Sequence, residues 1–317
     1  MNSFLCQWID RMVIRAAASC MPKPDGRDLH LDEAQRLLQN LDFSPDEVRP
    51  AAIEFDGPTN FRFASPRPTA HPVNNIVHGR LYRCNDRWRE KPVILLLHGW
   101  NDALNHHFFF PRLARQLNQM GLSAATLQLP WHFDRRPREL GAWGNFLSAD
   151  LLHTVEATVQ AMAEIQAFVG WLSEQKCPFV GLWGISMGAW LAGLAVCNDS
   201  RIHSAVLTIP IARLDRLIEE MAFCETIRCA LQNRRVALHN LDLVSNRPLI
   251  ARENILLVEA EYDLFVDKET VEDLWRAWDK PDIWRLRHGH ISILYAPGLS
   301  QRVVQWIAAR AGAHAAK

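Results

Sequence analysis

Two kinds of apolar pattern alternate along most of the chain. Short continuous runs with the length of buried strands occur at 92–98, 122–129, 178–183, 204–209, 255–259 and 283–287. Longer segments with apolar residues at helical spacing occur at 108–120, 150–174, 189–196, 268–278 and 300–311. Shorter strand patterns are also present at 59–64 and 75–84. Because strands that alternate with helices form parallel sheets, this pattern predicts an α/β fold with a mostly parallel central sheet and helices on both faces.

Two segments depart from this alternation. Residues 21–75 are rich in Pro and polar residues, with helical spacing at 29–41. We therefore predict that 1–74 form an N-terminal helical and irregular extension that packs on a main domain at 75–317. Within the main domain, 211–253 has helical character but no strand of the alternation, and we predict a small helical cap there.

The first 19 residues have the pattern of an amphipathic helix. One interpretation packs this helix on the body of the protein. The alternative places it on a membrane surface as a peripheral contact, with Arg11 and Arg15 near lipid phosphates. Asp10 and the two arginines interrupt what would have to be the apolar stretch of a signal peptide, which argues against secretion. The residues on the apolar face are Phe4, Leu5, Trp8, Ile9, Met12, Val13 and Ala16.

Composition narrows the function classes. The chain has 35 basic and 35 acidic residues among 317, and this zero net charge argues against a general nucleic-acid binder. Its seven cysteines form no CxxC pair, so we expect a reducing, cytoplasmic location. No motif with metal-ligand spacing is present, and we expect neither a metal nor a cofactor. Composition leaves the oligomeric state open.

The segment GISMG, residues 184–188, carries the first chemical signal. It follows a predicted strand and begins a predicted helix, which is the context of a nucleophile elbow. Ser186 would stand on a sharp turn, and the flanking glycines would avoid clashes between the strand and the helix. The pattern therefore predicts Ser186 as a catalytic nucleophile.

A serine nucleophile needs a base and an orienting acid, in the chain order Ser, acid, His. Asp263 follows the strand predicted at 255–259, and we expect it to be the acid, with Asp267 and Glu261 as competitors. His290 follows the last predicted strand. We prefer it to His288 as the base because Gly289 lets the backbone turn and present the imidazole.

An oxyanion hole should use one backbone N–H after the nucleophile and one from the loop after an early central strand. The first would come from Met187. The second would come from Trp100 in the segment HGWN, residues 98–101. His98 precedes the triad in the chain, and we expect it to brace this loop by hydrogen bonds.

The motifs HGW, GISMG, EYD and GH, in this order, resemble the α/β-hydrolase superfamily over about residues 75–311. The segments 129–137, 184–196 and 289–304 are similar to the group of α/β-hydrolase-domain-containing protein 18. The resemblance implies an α/β-hydrolase fold with Ser186, Asp263 and His290 as triad, and it suggests lipid-like acyl esters as substrates. Ala189-Trp190 departs from the Gly-His expected after the elbow, which puts a shared substrate in doubt.

Two groups of side chains are candidates for substrate binding. Arg135 and Arg136 follow a predicted strand end and could clamp a phosphate or carboxylate, which would suit an anionic ester. The alternative is a solvated or internally ion-paired loop. Trp131 and Trp190 lie near predicted loops and could line an acyl pocket, although core packing is the competing interpretation for any single Trp.

The leading hypothesis is a serine hydrolase that cleaves a small-molecule or lipid-like carboxylic ester through an acyl-enzyme. An acyltransferase or a peptidase could use the same triad. A binding protein without catalysis is the alternative from another class, but such relatives usually lose a triad residue and all three candidates are present here.

Overall fold

The structure, a computed structural model, describes residues 2–21, 30–138, 146–148, 150–231 and 236–316. The strands, in chain order, are β1 (Glu54–Asp56), β2 (Asn60–Ala64), β3 (Ile76–Tyr82), β4 (Val93–Leu97), β5 (Ser123–Leu127), β6 (Val180–Ile185), β7 (Ser204–Thr208), β8 (Ile255–Ala260) and β9 (Asp282–Leu286). The helices are α1 (Ser3–Cys20), α2 (Leu31–Gln39), α3 (Phe110–Gln119), α4 (Leu151–Glu174), α5 (Met187–Asn198), α6 (Leu214–Glu220), α7 (Glu225–Leu231), α8 (Lys268–Ala277) and α9 (Leu299–Ala315).

The nine strands form one sheet in the order β1-β2-β3-β5-β4-β6-β7-β8-β9. Along this order, neighbouring strands from β1 to β5 pair antiparallel. The six strands β5-β4-β6-β7-β8-β9 pair in parallel. Strand β4 lies in the centre, where Leu97 is opposite Gly184 of β6. The predicted α/β fold with a mostly parallel sheet is therefore confirmed.

Helices cover both faces of this sheet. Successive residues of β4 belong to opposite cores: Leu95 packs with α4 and α5 on one face, while Leu96 packs with α3 and α9 on the other. All five residues of β4 are buried, as expected of a strand with two covered faces. This explains why the strand reads as a continuous apolar run rather than an alternating one.

The N-terminal region contributes more than an extension. β1 and β2 precede residue 75 but are part of the central sheet, so the predicted boundary after residue 74 divides the sheet. Strand β1 is exposed at all three positions, and its sequence, Glu-Phe-Asp, is too short to show a strand pattern. The sequence did predict β2 and the helix α2, which packs its buried Leu38 in the core that α4 shares.

The segment predicted as a cap follows β7. Its described part contains α6, α7 and short 3₁₀ turns that pack beside the carboxyl end of the sheet. Phe223 of one such turn and Leu217 of α6 line the same cavity as Ser186. The cap as a separate unit remains a prediction, and residues 232–235 within it lie outside the described residues.

Candidate active site

Ser186 stands on a strained turn between β6 and α5. Its backbone has φ 54° and ψ −115°, a region that side-chain-bearing residues rarely adopt. A Cβ at Gly184 would overlap the backbone of Gly188, and a Cβ at Gly188 would overlap the carbonyl of Leu97. The two flanking glycines therefore allow the helix to start immediately against the central strands, which is the geometry of a nucleophile elbow.

Three predicted side chains converge at this turn. His290 Nε2 lies 2.9 Å from Ser186 Oγ, and His290 Nδ1 lies 2.8 Å from Asp263 Oδ2. Because an ionised carboxylate can only accept hydrogen bonds, Nδ1 donates to Asp263, and Nε2 of the neutral ring can accept the serine proton. The arrangement is that of a nucleophile, a base and an orienting acid.

Asp263 is itself held by the loop that follows β8. Its Oδ1 accepts hydrogen bonds from the backbone N–H groups of Phe265, at 2.7 Å, and Val266, at 3.0 Å. Its competitors are engaged elsewhere: Asp267 caps α8 through the N–H of Glu269, and Glu261 lies 3.7 Å from Arg287. The structure thus brings Asp263, and neither competitor, to the histidine.

The same holds for the two histidines. His290 is buried and stacks on the ring of Phe265, with centroids 4.5 Å apart. The His288 ring instead lies 3.3 Å from Ser292 Oγ. Burial lowers the pKa of His290, but the charge of Asp263 and the hydrogen bond to it outweigh this effect and raise the pKa above its usual value. A base with a raised pKa is a stronger proton acceptor for a serine hydroxyl.

A cavity of about 210 Å³ opens beside Ser186. It lies at the carboxyl ends of the parallel strands, where α/β folds usually place their sites. Most of its lining is apolar and comes from several elements, including Val13 of α1, Leu147, Ile211, Phe223 and Leu294. Asp102 also lines the cavity, and burial raises the pKa of its carboxyl.

Both residues predicted for the oxyanion hole line this cavity. Met187 is the first residue of α5, and N–H groups in the first turn of a helix have no partner within the helix. Trp100 lies in the loop after β4, next to Asn101, whose φ is 51°.

His98 supports the loop after β4: its Nδ1 lies 2.8 Å from the carbonyl of Gly99, and its Nε2 accepts the N–H of Leu129. The predicted bracing role of His98 matches these contacts.

The structure corrects the predicted role of Arg135. Its side chain is fully buried and forms two 2.6 Å contacts with the carboxylate of Glu164 in α4. It also donates to the carbonyls of Asn74 and Gln128. A guanidinium with all these partners holds the interior together and is closed to substrate. Arg136 is half-buried, and it is not among the described residues that line the cavity.

The two tryptophans predicted to line an acyl pocket also lie elsewhere. Trp190 is fully buried in the core, where its indole N–H donates to the carbonyl of Leu241 at 2.7 Å. Trp131 is buried and packs against the rings of His71 and His153. Core packing explains both, and the wall beside Ser186 is built by other described side chains.

Sequence reasoning missed Asp10 of α1. Its carboxylate is fully buried and accepts the backbone N–H of His290 at 2.9 Å. The sequence contained one signal, a single acidic residue between apolar positions of an amphipathic helix. From the sequence alone, that signal argues only against a signal peptide.

Comparison with solved structures shows the α/β-hydrolase fold. An esterase of Pyrococcus furiosus, Pf2001, aligns with a TM-score of 0.52 at 15% identity over 90% of this chain and 97% of its own. Est1E of Butyrivibrio proteoclasticus with ferulic acid bound aligns with a TM-score of 0.54 at 12% identity, over 79% of this chain and all of its own. A cold-adapted esterase from an Arctic intertidal metagenomic library gives 0.53 at 17% identity, over 82% of this chain and 97% of its own.

Sequence comparison gives a narrower relationship. An uncharacterized protein of Mycobacterium tuberculosis strain H37Rv is 26% identical over 185 residues, which are 55% of this chain and 43% of that protein. The match thus spans less than half the length of this relative. The family model of alpha/beta hydrolase domain containing 18 matches residues 47–229, more than half of the chain and including the elbow. The chain belongs to the alpha/beta hydrolase domain containing 18 family.

Proposed function

We propose that this protein is a serine hydrolase that cleaves carboxylic esters through an acyl-enzyme on Ser186. The observation that carries the proposal is the continuous hydrogen-bonded chain from Ser186 Oγ through His290 to Asp263, at 2.9 and 2.8 Å. Its position beside an apolar cavity and the esterase fold of the structural neighbours support the same conclusion.

The reaction follows from the roles of these groups. Ser186 Oγ attacks the ester carbonyl carbon while its proton moves to His290 Nε2. The N–H groups of Met187 and Trp100 stabilise the negative charge that develops on the carbonyl oxygen. The C–O bond then breaks, and the departing alcohol takes the proton from His290. A water molecule, deprotonated by His290, attacks the acyl-enzyme and releases the carboxylic acid and the free serine.

The cavity supports an ester with a compact apolar acyl group. Its volume of about 210 Å³ lies below the roughly 300–1,000 Å³ of typical drug-sized pockets. The hypothesis of an anionic substrate is weakened, because Arg135 forms a buried ion pair with Glu164 and cannot bind a substrate anion. We therefore expect higher kcat/KM for p-nitrophenyl acetate or butyrate than for the palmitate. Equal or higher kcat/KM for the palmitate would contradict the compact site.

The exposed side of α1 supports a membrane surface as the place from which a lipid-like ester with a compact acyl group reaches the cavity. We give the name α1 apolar face to four large, solvent-exposed apolar side chains of this helix: Phe4 (70% exposed), Leu5, Trp8 (52%) and Met12. Arg11 and Arg15 of the same helix are exposed and suit lipid phosphates.

Val13 and Ala17 of this helix line the cavity. We propose that the α1 apolar face contacts a membrane surface next to the cavity, as a peripheral contact. In the described part of the chain no helix could cross a bilayer.

Vesicle sedimentation tests this contact. Wild-type protein should sediment with phosphatidylcholine vesicles containing phosphatidylserine, and the double variant Phe4→Ser/Trp8→Ser should remain in the supernatant. Leu249→Ser is the matched control, because Leu249 is 57% exposed in a different part of the chain. Equal sedimentation of the double variant and wild type would contradict the contact.

Product analysis separates hydrolysis from the alternatives. Incubation of wild type with a p-nitrophenyl ester and added glycerol should release free acid, whereas an acyltransferase would yield the glycerol ester. Cleavage of a peptide amide faster than the ester would favour a peptidase. Wild type that turns over neither, and that no serine-directed probe labels, would support a binding protein instead.

A further inference from the structure

The N-terminal helix reaches the two loops that carry the candidate acid and base. Asp10 lies in the middle of α1, and its carboxylate is fully buried against these loops. Oδ2 accepts the backbone N–H of His290 at 2.9 Å and of Leu264 at 3.3 Å, and Oδ1 accepts that of Ile291 at 3.2 Å. One side chain thus joins the loop after β8 to the loop after β9.

The local structure of the base loop is adapted to this carboxylate. A Cβ at Gly289 would lie 2.8 Å from Asp10 Oδ2, closer than real Cβ atoms approach other atoms. Cys6, one helical turn earlier on the same face of α1, is buried with its Sγ 3.6 Å from Ser292 Oγ. Ser292 Oγ in turn accepts the N–H of Gly289 at 3.0 Å. Two successive turns of α1 therefore hold the base loop.

We propose that Asp10 is a positioning residue, which fixes the backbone of His290 relative to the loop of Asp263 from a helix at the opposite end of the chain. This inference rests on the proposed function. Hydrogen bonds from backbone N–H groups to a carboxylate are charge-assisted and have defined directions. Because Asp10 fixes the backbone of His290, the imidazole is held in position for its contacts with both Ser186 and Asp263.

Asp10 also contributes charge to the site. The carboxylates of Asp263, Asp10 and Asp102 face His290, and each favours its protonated form. Burial raises the pKa of Asp10, while its backbone hydrogen bonds oppose this rise. The negative charge of Asp10, added to that of Asp263, would stabilise the imidazolium that forms when His290 takes the serine proton and that lasts until the alcohol leaves.

Two variants test the proposal from opposite sides. Asp10→Asn keeps the shape but replaces one acceptor oxygen by a donor, so it should slow fluorophosphonate labelling of the full-length protein about 100-fold, the scale of an ~1 Å misplacement. It should also move the acid limb of the labelling-rate profile to lower pH, because a charge that raises the His290 pKa is lost. A residue that served stability alone would leave that limb in place. Gly289→Ala disturbs the same contact without removing the charge, and should slow labelling with the helix α1 intact.

The control for the glycine variant is Gly312→Ala, since the space around Gly312 in α9 is open. Labelling of Asp10→Asn within twofold of wild type, with an unchanged acid limb, would overturn the inference. If Asp10→Asn does not fold, Gly289→Ala decides, and labelling within twofold of Gly312→Ala would then overturn it. Labelled wild type with unaffected Asp10→Asn leaves the hydrolase proposal standing, whereas unlabelled wild type defeats both.

Discussion

Arg135 and Glu164 form a bidentate ion pair in the interior, although they are 29 residues apart in the chain. Arg135 lies in the loop after β5 and Glu164 in the centre of α4. Both side chains are almost fully inaccessible to solvent. The guanidinium also binds the carbonyl of Asn74, which precedes β3. The pair therefore ties the loop after β5 and the start of β3 to the helix that covers one face of the sheet.

Arg135→Ala should lower the free energy of unfolding by about 3–5 kcal/mol, because it leaves the Glu164 charge buried without its partner. Arg138→Ala, three residues away and exposed, should change it by less than about 0.5 kcal/mol. Guanidinium denaturation of both variants measures the difference. Similar stability of the two variants would show that the ion pair contributes little.

Asp263→Asn should reduce kcat for ester hydrolysis about 10⁴-fold, the loss seen when an amide replaces the acid of a triad and selects the wrong imidazole tautomer. Asp267→Asn is the matched control. Asp267 caps α8 through the N–H of Glu269, so its substitution should cost about 1 kcal/mol of stability at most and leave kcat within a few-fold of wild type. A larger loss of kcat in Asp267→Asn would reverse the assignment.

The pH profile of kcat/KM should have an acid limb centred above pH 6.5. The neutral imidazole of His290 is the active form, and its pKa is raised because the charge and hydrogen bond of Asp263 outweigh burial. Activity should thus be full on the alkaline side and fall as the pH drops through this pKa. Initial rates between pH 5 and 9 measure the limb, and a midpoint well below 6.5 would contradict the raised pKa.

Three buried histidines should make the fold sensitive to acid. Burial lowers the pKa of His106 to about 3 and of His132 to about 4, and holds that of His98 well below its usual value. In the unfolded chain they titrate near 6.5, so the unfolded state binds more protons and stability falls as the pH drops from about 6.5 towards 4. Each group lowers the free energy of unfolding by about 1.36 kcal/mol per pH unit. The three together therefore contribute a decrease of about 4 kcal/mol per unit once the pH is well below 6.5.

Denaturation at pH 7.5, 6.0 and 5.0 measures this dependence. His106→Leu should reduce the slope by about 1.36 kcal/mol per pH unit, since one proton bound only in the unfolded state is removed. His107→Gln is the matched control, because it removes an exposed imidazole next to the buried one. A pH dependence as steep in His106→Leu as in wild type would contradict the burial of this ring in neutral form.

The sequence was most informative where one requirement dominates. β4 is covered on both faces, so its apolar run predicted a buried parallel strand, and the elbow needs Gly184 and Gly188, so GISMG marked Ser186. Arg135 was misplaced because a charged side chain after a strand can point to solvent, to substrate or inward, and only the distant Glu164 decides.

Asp10 illustrates the second limit of sequence reasoning. Its partners are backbone N–H groups at 264, 290 and 291, more than 250 residues away, and backbone groups leave no trace in side-chain spacing. The strand β1 could not be predicted for a related reason, since it joins the sheet through backbone pairing with β2 and its three residues are too few to show a pattern.

The central claim is that Ser186 is activated by His290, and fluorophosphonate labelling measures it most directly. Purified wild type, Ser186→Ala and His290→Ala should be followed at pH 8, with His288→Ala as the control for the neighbouring imidazole. The account predicts covalent labelling of wild type and of His288→Ala, and loss of labelling in Ser186→Ala and His290→Ala. Labelling that persists in Ser186→Ala, or wild type that stays unlabelled with and without lipid vesicles, would contradict it.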